Sequence, residues 1–140
     1  MGECACNSGI RLIYSCSGAA DVGEIADRAA RLLRKEGFAQ GSCITGVGAG
    51  ISGYIQSAKG ADVNFTIDGC PVACARKCLE NAGVKSVSFI VTEMGFKKGK
   101  TQVTDEVIRA VCDNIKKAQV DTVNQASGST EGGCGCGGKC

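Results

Sequence analysis

The sequence contains no histidine. That absence removes Ser-His-Asp and Cys-His catalysis. It also means that any zinc site must be built from cysteine, with a carboxylate as the remaining option. Tryptophan is absent too, aromatic residues make up 4% of the chain, and Pro71 is the single proline. Neither sign of charge dominates: 16 basic against 14 acidic side chains leave +2. A balance so close to zero gives no strong pull toward nucleic acid or membrane, so neither is expected as a partner. No apolar run is long enough to span a bilayer. Met1–Ile10 has no basic region followed by an apolar stretch, so no signal peptide is expected, and the expected location is cytoplasmic. Several chemical motifs are missing as well. There is no Gly-Lys-Ser/Thr and hence no Walker loop. No C-x-x-C occurs, which sets aside thioredoxin-like and bacterial iron–sulfur spacings. A phosphatase-style loop after Cys16 lacks its arginine, because the nearest, Arg28, falls inside a predicted helix.

What the chain has instead is eleven cysteines and 21 glycines in 140 residues, with 44% hydrophobic content. That length fits one domain around one core. In a small secreted protein so many cysteines would suggest a disulfide scaffold. The odd count, the missing signal peptide and a well-patterned core favour reduced thiols, and clustered reduced thiols bind metal or do redox work.

Strands are predicted at Ile10–Ser15 ("IRLIYS"), within Ala39–Val47, at Val63–Ile67 ("VNFTI") and at Ser86–Thr92 ("SVSFIVT"). Helices alternate with them. Asp21–Glu36 has Asp21 as cap, Glu24 completing a capping box, and Gly37 as the stop. Its apolar face is Val22, Ile25, Ala29, Leu32 and Leu33. A short helix is expected over Ile51–Ala58. In the next, Pro71 takes the first helical position, Cys70 the N-cap and Gly83 the stop. The last is capped by Thr104, carries Asp105 and Glu106 in its first turn, and ends near Gln119 with Lys116 and Lys117 in its last. Four strand–helix units predict an α/β fold: a four-stranded, mostly parallel sheet in a flavodoxin- or Rossmann-like three-layer arrangement. The domain is placed at residues 10–121. A flexible segment at 1–9 carries Cys4 and Cys6. A disordered Gly/Cys-rich tail at 122–140 carries Cys134, Cys136 and Cys140, with a second exposed metal or transfer to a partner as its functional readings.

In open α/β sheets, ligands bind beyond the carboxyl ends of the strands, where strand order reverses. With order 2-1-3-4, Cys16 after the first strand and Cys70 after the third face each other there. Cys74, one helical turn on, returns to the same point. Cys43 supplies the fourth thiol provided that the second strand ends near it. Four thiolates around Zn²⁺ leave about two negative charges. Helix N-termini near Asp21, Ile51 and Pro71 would stabilise them. Those termini favour thiolate in general, which metal binding and redox chemistry both need. Asp68 is assigned to the loop, accepting N–H bonds and orienting the turn, and Gly69 lets the chain bend.

Other thiols read differently. Cys112 shares the apolar stripe of Val107, Ile108, Val111 and Ile115 and is expected in the core. Val72, Ala75, Leu79 and Ala82 define a core face that leaves Cys74 and Cys78 together to one side, so Cys78 is either core or a spare ligand. Gly48–Gly53 matches G-x-G-x-x-G with Asp68 about 20 residues on, as in dinucleotide sites. It follows the second strand rather than the first, however, and the glycines more simply let backbone approach the site. Lys97, Lys98 and Lys100 in "MGFKKGK" lie on the same rim and read as a solvated face.

The segments "YSCSGAADVG", "CITGVGAGISG", "IDGCPVACARKCLENAG" and "VTEMGFKKG" resemble the DGC-domain family, whose members are described as zinc-binding. The resemblance spans Tyr14 to about Lys98. It implies zinc on cysteines, carried over to Cys16, Cys43, Cys70 and Cys74, and it implies no reaction. The reading is therefore a zinc-binding protein with a cysteine-thiolate site, the metal ion being its expected partner. The rival is a thiol-based redox, metalloid or sulfur-transfer enzyme using Cys70 and Cys74. Nucleotide binding at Gly48–Gly53 stands third.

Overall fold

Alternation of side chains across Arg11–Ser15 produces the first strand, β1, which buries Leu12, Ile13 and Tyr14 on its two sides. The structure, a computed structural model, describes residues 9–126, with side chains through residue 120. After β1 come α1 (Asp21–Lys35), β2 (Gln40–Gly41), α2 (Ile44–Gly48), α3 (Ser52–Gly60), β3 (Val63–Asp68), α4 (Cys74–Asn81) and β4 (Val87–Ile90). A 3-10 turn, Val91–Met94, and α5 (Asp105–Ala126) complete the described chain. All strand pairs are parallel, in the order β2-β1-β3-β4. The expected order reversal between β1 and β3 is present. Leu12 pairs with Asn64 and Ser15 with Ile67, so both strands reach the carboxyl edge together.

Helices cover both faces, as parallel sheets require. Ile13, Phe65 and Ile67 pack with Val22, Ile25, Ala29 and Leu33 of α1 and Ile108, Val111 and Ile115 of α5. On the other face, Leu12 and Tyr14 meet Val47 of α2, Ala58 of α3 and Leu79 of α4. The polar members of β3 are buried on this second side, and each is bonded. Asn64 Nδ2 donates to the Ala58 carbonyl at 2.8 Å, and Thr66 Oγ1 lies 3.3 Å from Ser86 Oγ. Asp68 accepts from the helix that follows.

Several local expectations are met. Gly37 and Gly83 end their helices at φ +78° and +76°. Thr104 Oγ1 accepts the Val107 N–H at 3.3 Å. Cys112 is fully buried, its thiol donating to the Ala29 carbonyl at 3.5 Å. Others are corrected. Ala20, not Asp21, is the N-cap of α1, and no side chain caps it. Asp21 Oδ1 accepts the N–H of Val22 and of Gly99, each at 2.8 Å, and Oδ2 that of Thr101 at 3.0 Å. Its carboxylate is thus spent on a distant loop. The helix predicted from Pro71 starts at Cys74, with Ala73 as a left-handed N-cap, so Cys70 and Pro71 belong to a turn. Val72 consequently points outward, 53% exposed, rather than into the core. Ser86–Thr92 shortens to Val87–Ile90, because the chain turns at Val91. Helix α5 runs past Gln119, which leaves Lys116 and Lys117 in its middle. No pattern in the sequence announces α2.

Candidate thiolate site

Three loops meet at the carboxyl edge of the central strands. The first follows β1. Cys16 N–H continues the ladder by donating to the Ile67 carbonyl at 3.1 Å. Ser17 then adopts φ +48°, a conformation that costs a non-glycine residue about 1–2 kcal/mol. Its hydroxyl, at 2.9 Å, and that of Ser15, at 3.2 Å, reach Asp27 Oδ1 on α1. Burial works against the charge on Asp27. Hydrogen bonds from Arg31 and these hydroxyls outweigh it, and the carboxyl is held below its usual range. The Cys16 loop is therefore pinned to α1.

The second loop, Gly69-Cys70, follows Asp68 at the end of β3. Asp68, 1% exposed, accepts the Ala75 N–H at 2.8 Å on one oxygen and the Arg76 N–H at 3.2 Å on the other. It does the work of an N-cap from outside the helix, satisfying two of the donors that a helix start leaves free. This places Cys74, the first residue of α4, beside the end of β3. The carboxylate is the last residue of the strand rather than part of the loop, and its two oxygens are occupied, not free for a ribose. Gly69 is needed for close approach rather than for a bend. A Cβ there would stand 2.7 Å from the Val22 backbone carbon. The Gly69 N–H also donates to Cys16 Sγ at 3.3 Å, tying the second loop to the first.

The third loop carries the lysines. Asp21 holds Gly99 and Thr101, while Thr101 Oγ1 accepts from Lys97 N–H at 3.0 Å. These bonds keep the Asp21 carboxyl below its usual range, those from Gly99 and Thr101 being the strongest. Lys98 Nζ thereby lies 3.8 Å from Cys70 Sγ, so the run is more than a solvated face.

Of the four thiols expected, Cys16 and Cys74 line one cavity of about 320 Å³, together with Cys78. The glycine-rich segment closes it: a Cβ on Gly48 would lie 3.4 Å from Cys78 Sγ. Cys78 is half-buried, which places it at the site rather than in the core. Cys70 is half-buried on the α1–α5 side and packs, like Cys16, against that core. Cys43 does follow β2 at the carboxyl side, as its role required. It caps α2 and opens, exposed, into a separate groove with Arg31, Arg34 and Tyr54. Cys4, Cys6, Cys134, Cys136 and Cys140 lie outside the described residues. Among the described residues, no three cysteine, aspartate or glutamate side chains are grouped closely enough to hold a metal ion. The donor chemistry suits a thiophilic ion; closing the thiols on one requires their side chains to move together. No described helix is long and apolar enough to cross a membrane.

With this geometry in view, comparison with known proteins decides the family. The DGC domain model matches residues 12–115. The chain belongs to the DGC-domain family. The anaerobic and virulence modulator AnvM of Pseudomonas aeruginosa is 33% identical over 88 residues, 62% of this chain and 67% of that protein. No solved structure matches the chain significantly. In this DGC domain the three letters divide the labour: Asp68 caps α4, Gly69 admits α1, and Cys70 stands beside Lys98. The anchors Ser17 and Asp27 carry no sequence signal, because nothing in their spacing marks them.

Proposed function

We propose that the chain binds zinc through cysteine thiolates at the carboxyl edge of its sheet. The observation that carries this reading is the shared cavity of Cys16, Cys74 and Cys78, with the Gly69 N–H directed at Cys16 Sγ. These three would hold the ion, and Cys70, one residue from that N–H, is the candidate fourth ligand in place of Cys43. With histidine absent, thiolate is the strongest zinc donor the chain possesses. Bound zinc would draw the thiols together and tie the loops after β1 and β3 to α4. A sensing or regulatory use of such a site accords with the relative's designation as a modulator.

Reduced, full-length protein analysed by metal mass spectrometry should carry about one zinc, with three or four thiols protected until a chelator is added. Cys16→Ser with Cys74→Ser should abolish zinc retention, whereas Cys43→Ser should keep it. Metal-free protein that takes up no zinc on titration, with its thiol titre unchanged by chelator, overturns the reading.

A second reading rests on the Cys70–Lys98 contact, which suits a reactive thiol. It predicts metal-free protein in which Cys70 is alkylated faster than the other described cysteines, and Lys98→Met slows that reaction.

A further inference from the structure

We propose that a groove at the amino edge of the sheet, beside α5, binds a small amphipathic carboxylate, meaning an apolar chain or ring with one anionic head. The groove encloses about 560 Å³ and is walled by Phe38, Val63, Phe65 and Val120, with Arg11 and Lys116 among its lining. Small-molecule sites commonly enclose roughly 300–1,000 Å³. This one lies at the opposite end of β1 from Cys16 and shares no residue with the thiol cavity.

Its charge pattern selects the ligand. Arg11 lies over two rings, its guanidinium carbon 4.6 Å from the centre of Phe38 and 5.0 Å from that of Phe65. Among the described side chains it has no acidic partner. Glu36, the nearby carboxylate at the end of α1, is taken by Lys116 and Arg109. Asp62, next to Val63, accepts the Ile10 N–H. Among the described side chains, Arg11 is therefore a cation stacked on aromatic faces beside an apolar wall. The low polarity of that wall strengthens attraction to an anion. A guanidinium donates two parallel hydrogen bonds to a carboxylate in a planar fork. The wall itself asks for cover: Val120 is 59% exposed and Val63 is half-buried. A free inorganic anion would satisfy Arg11 and leave the valines wet. A neutral lipid would do the reverse. A molecule with both parts satisfies both at once.

Sodium decanoate and decan-1-ol, titrated separately into full-length protein, test the proposal by calorimetry and by methyl NMR. Decanoate should shift the Val63 and Val120 methyls and bind about tenfold more tightly than the alcohol. Arg11→Met should erase that preference, and Arg11→Lys should retain part of it. Equal binding of acid and alcohol by the native protein, no saturable binding, or shifts confined to residues away from the groove would each overturn it. If Arg11→Met fails to fold, the comparison of acid with alcohol on the native protein still decides the matter.

Discussion

Asp68 is the residue on which the site's geometry turns. Its carboxylate is buried with two helix N–H groups as its hydrogen-bond donors. Removing a buried acceptor leaves those donors unpaired, at about 1–3 kcal/mol. Asp68→Ala should therefore lower the unfolding free energy obtained from urea denaturation by that amount and speed alkylation of Cys74, the residue before the two N–H groups it binds. Unchanged stability would show that water replaces the carboxylate without loss. Cys112 supplies a pH test. Burial pushes its thiol from 9.0 up to about 11. A folded-state value above the unfolded one stabilises the fold fully below pH 9, and this contribution fades as pH rises toward 11. The loss is on the order of 3 kcal/mol. Comparing denaturation of the native protein and Cys112→Ala across that window should show the steeper decline in the native protein. Both residues illustrate what a sequence reveals at this scale. The burial of Cys112 follows from its place on an apolar stripe. That Asp68 caps a helix seven residues ahead, and that Asp21 serves a loop 78 residues away, depends on contacts no local pattern encodes.

At the scale of elements, α4 is where local preference and tertiary structure disagree. Pro71 is well suited to begin a helix, which would leave Cys70 at the N-cap position. The helix nevertheless begins three residues later, because Asp68 caps at Ala75 and Arg76 and the chain turns through Ala73 at φ +53°. Ala73→Gly relieves a left-handed conformation that costs alanine about 1–2 kcal/mol, at an entropic cost of about 0.5–1 kcal/mol. The variant should melt slightly higher. A lower melting temperature would mean that the turn is not strained in solution. Elements with strong periodic signals, β1, α1, β3 and the start of α5, stand where their sequences predict. α2 escapes prediction because five residues, two of them glycine, carry too short a pattern to register. The same gap hides the fate of Cys43. Spacing places it at the correct end of β2 but not on the side of α2 that it faces.

On the whole-molecule scale, the sheet separates two chemistries. Thiols gather beyond its carboxyl edge, and the cation-lined apolar groove lies at its amino edge. β1, five residues long, keeps them roughly 17 Å apart. Sites so far apart with no shared partners behave additively. Decanoate affinity should therefore be equal, within error, in protein incubated with zinc and in chelator-treated protein. A several-fold difference would reveal a link through β1 that its packing does not suggest. The topology is the most legible layer, because strand–helix alternation leaves few arrangements for a small parallel sheet. The path of the chain also sets its handles. Gly9 leads directly into β1, and α5 passes Val120 beside Arg11, so both ends of the described chain emerge at the amino edge. A bead gripping the molecule on the Gly9 and Val120 side would leave the cysteine-bearing rim facing outward and free to meet whatever it handles.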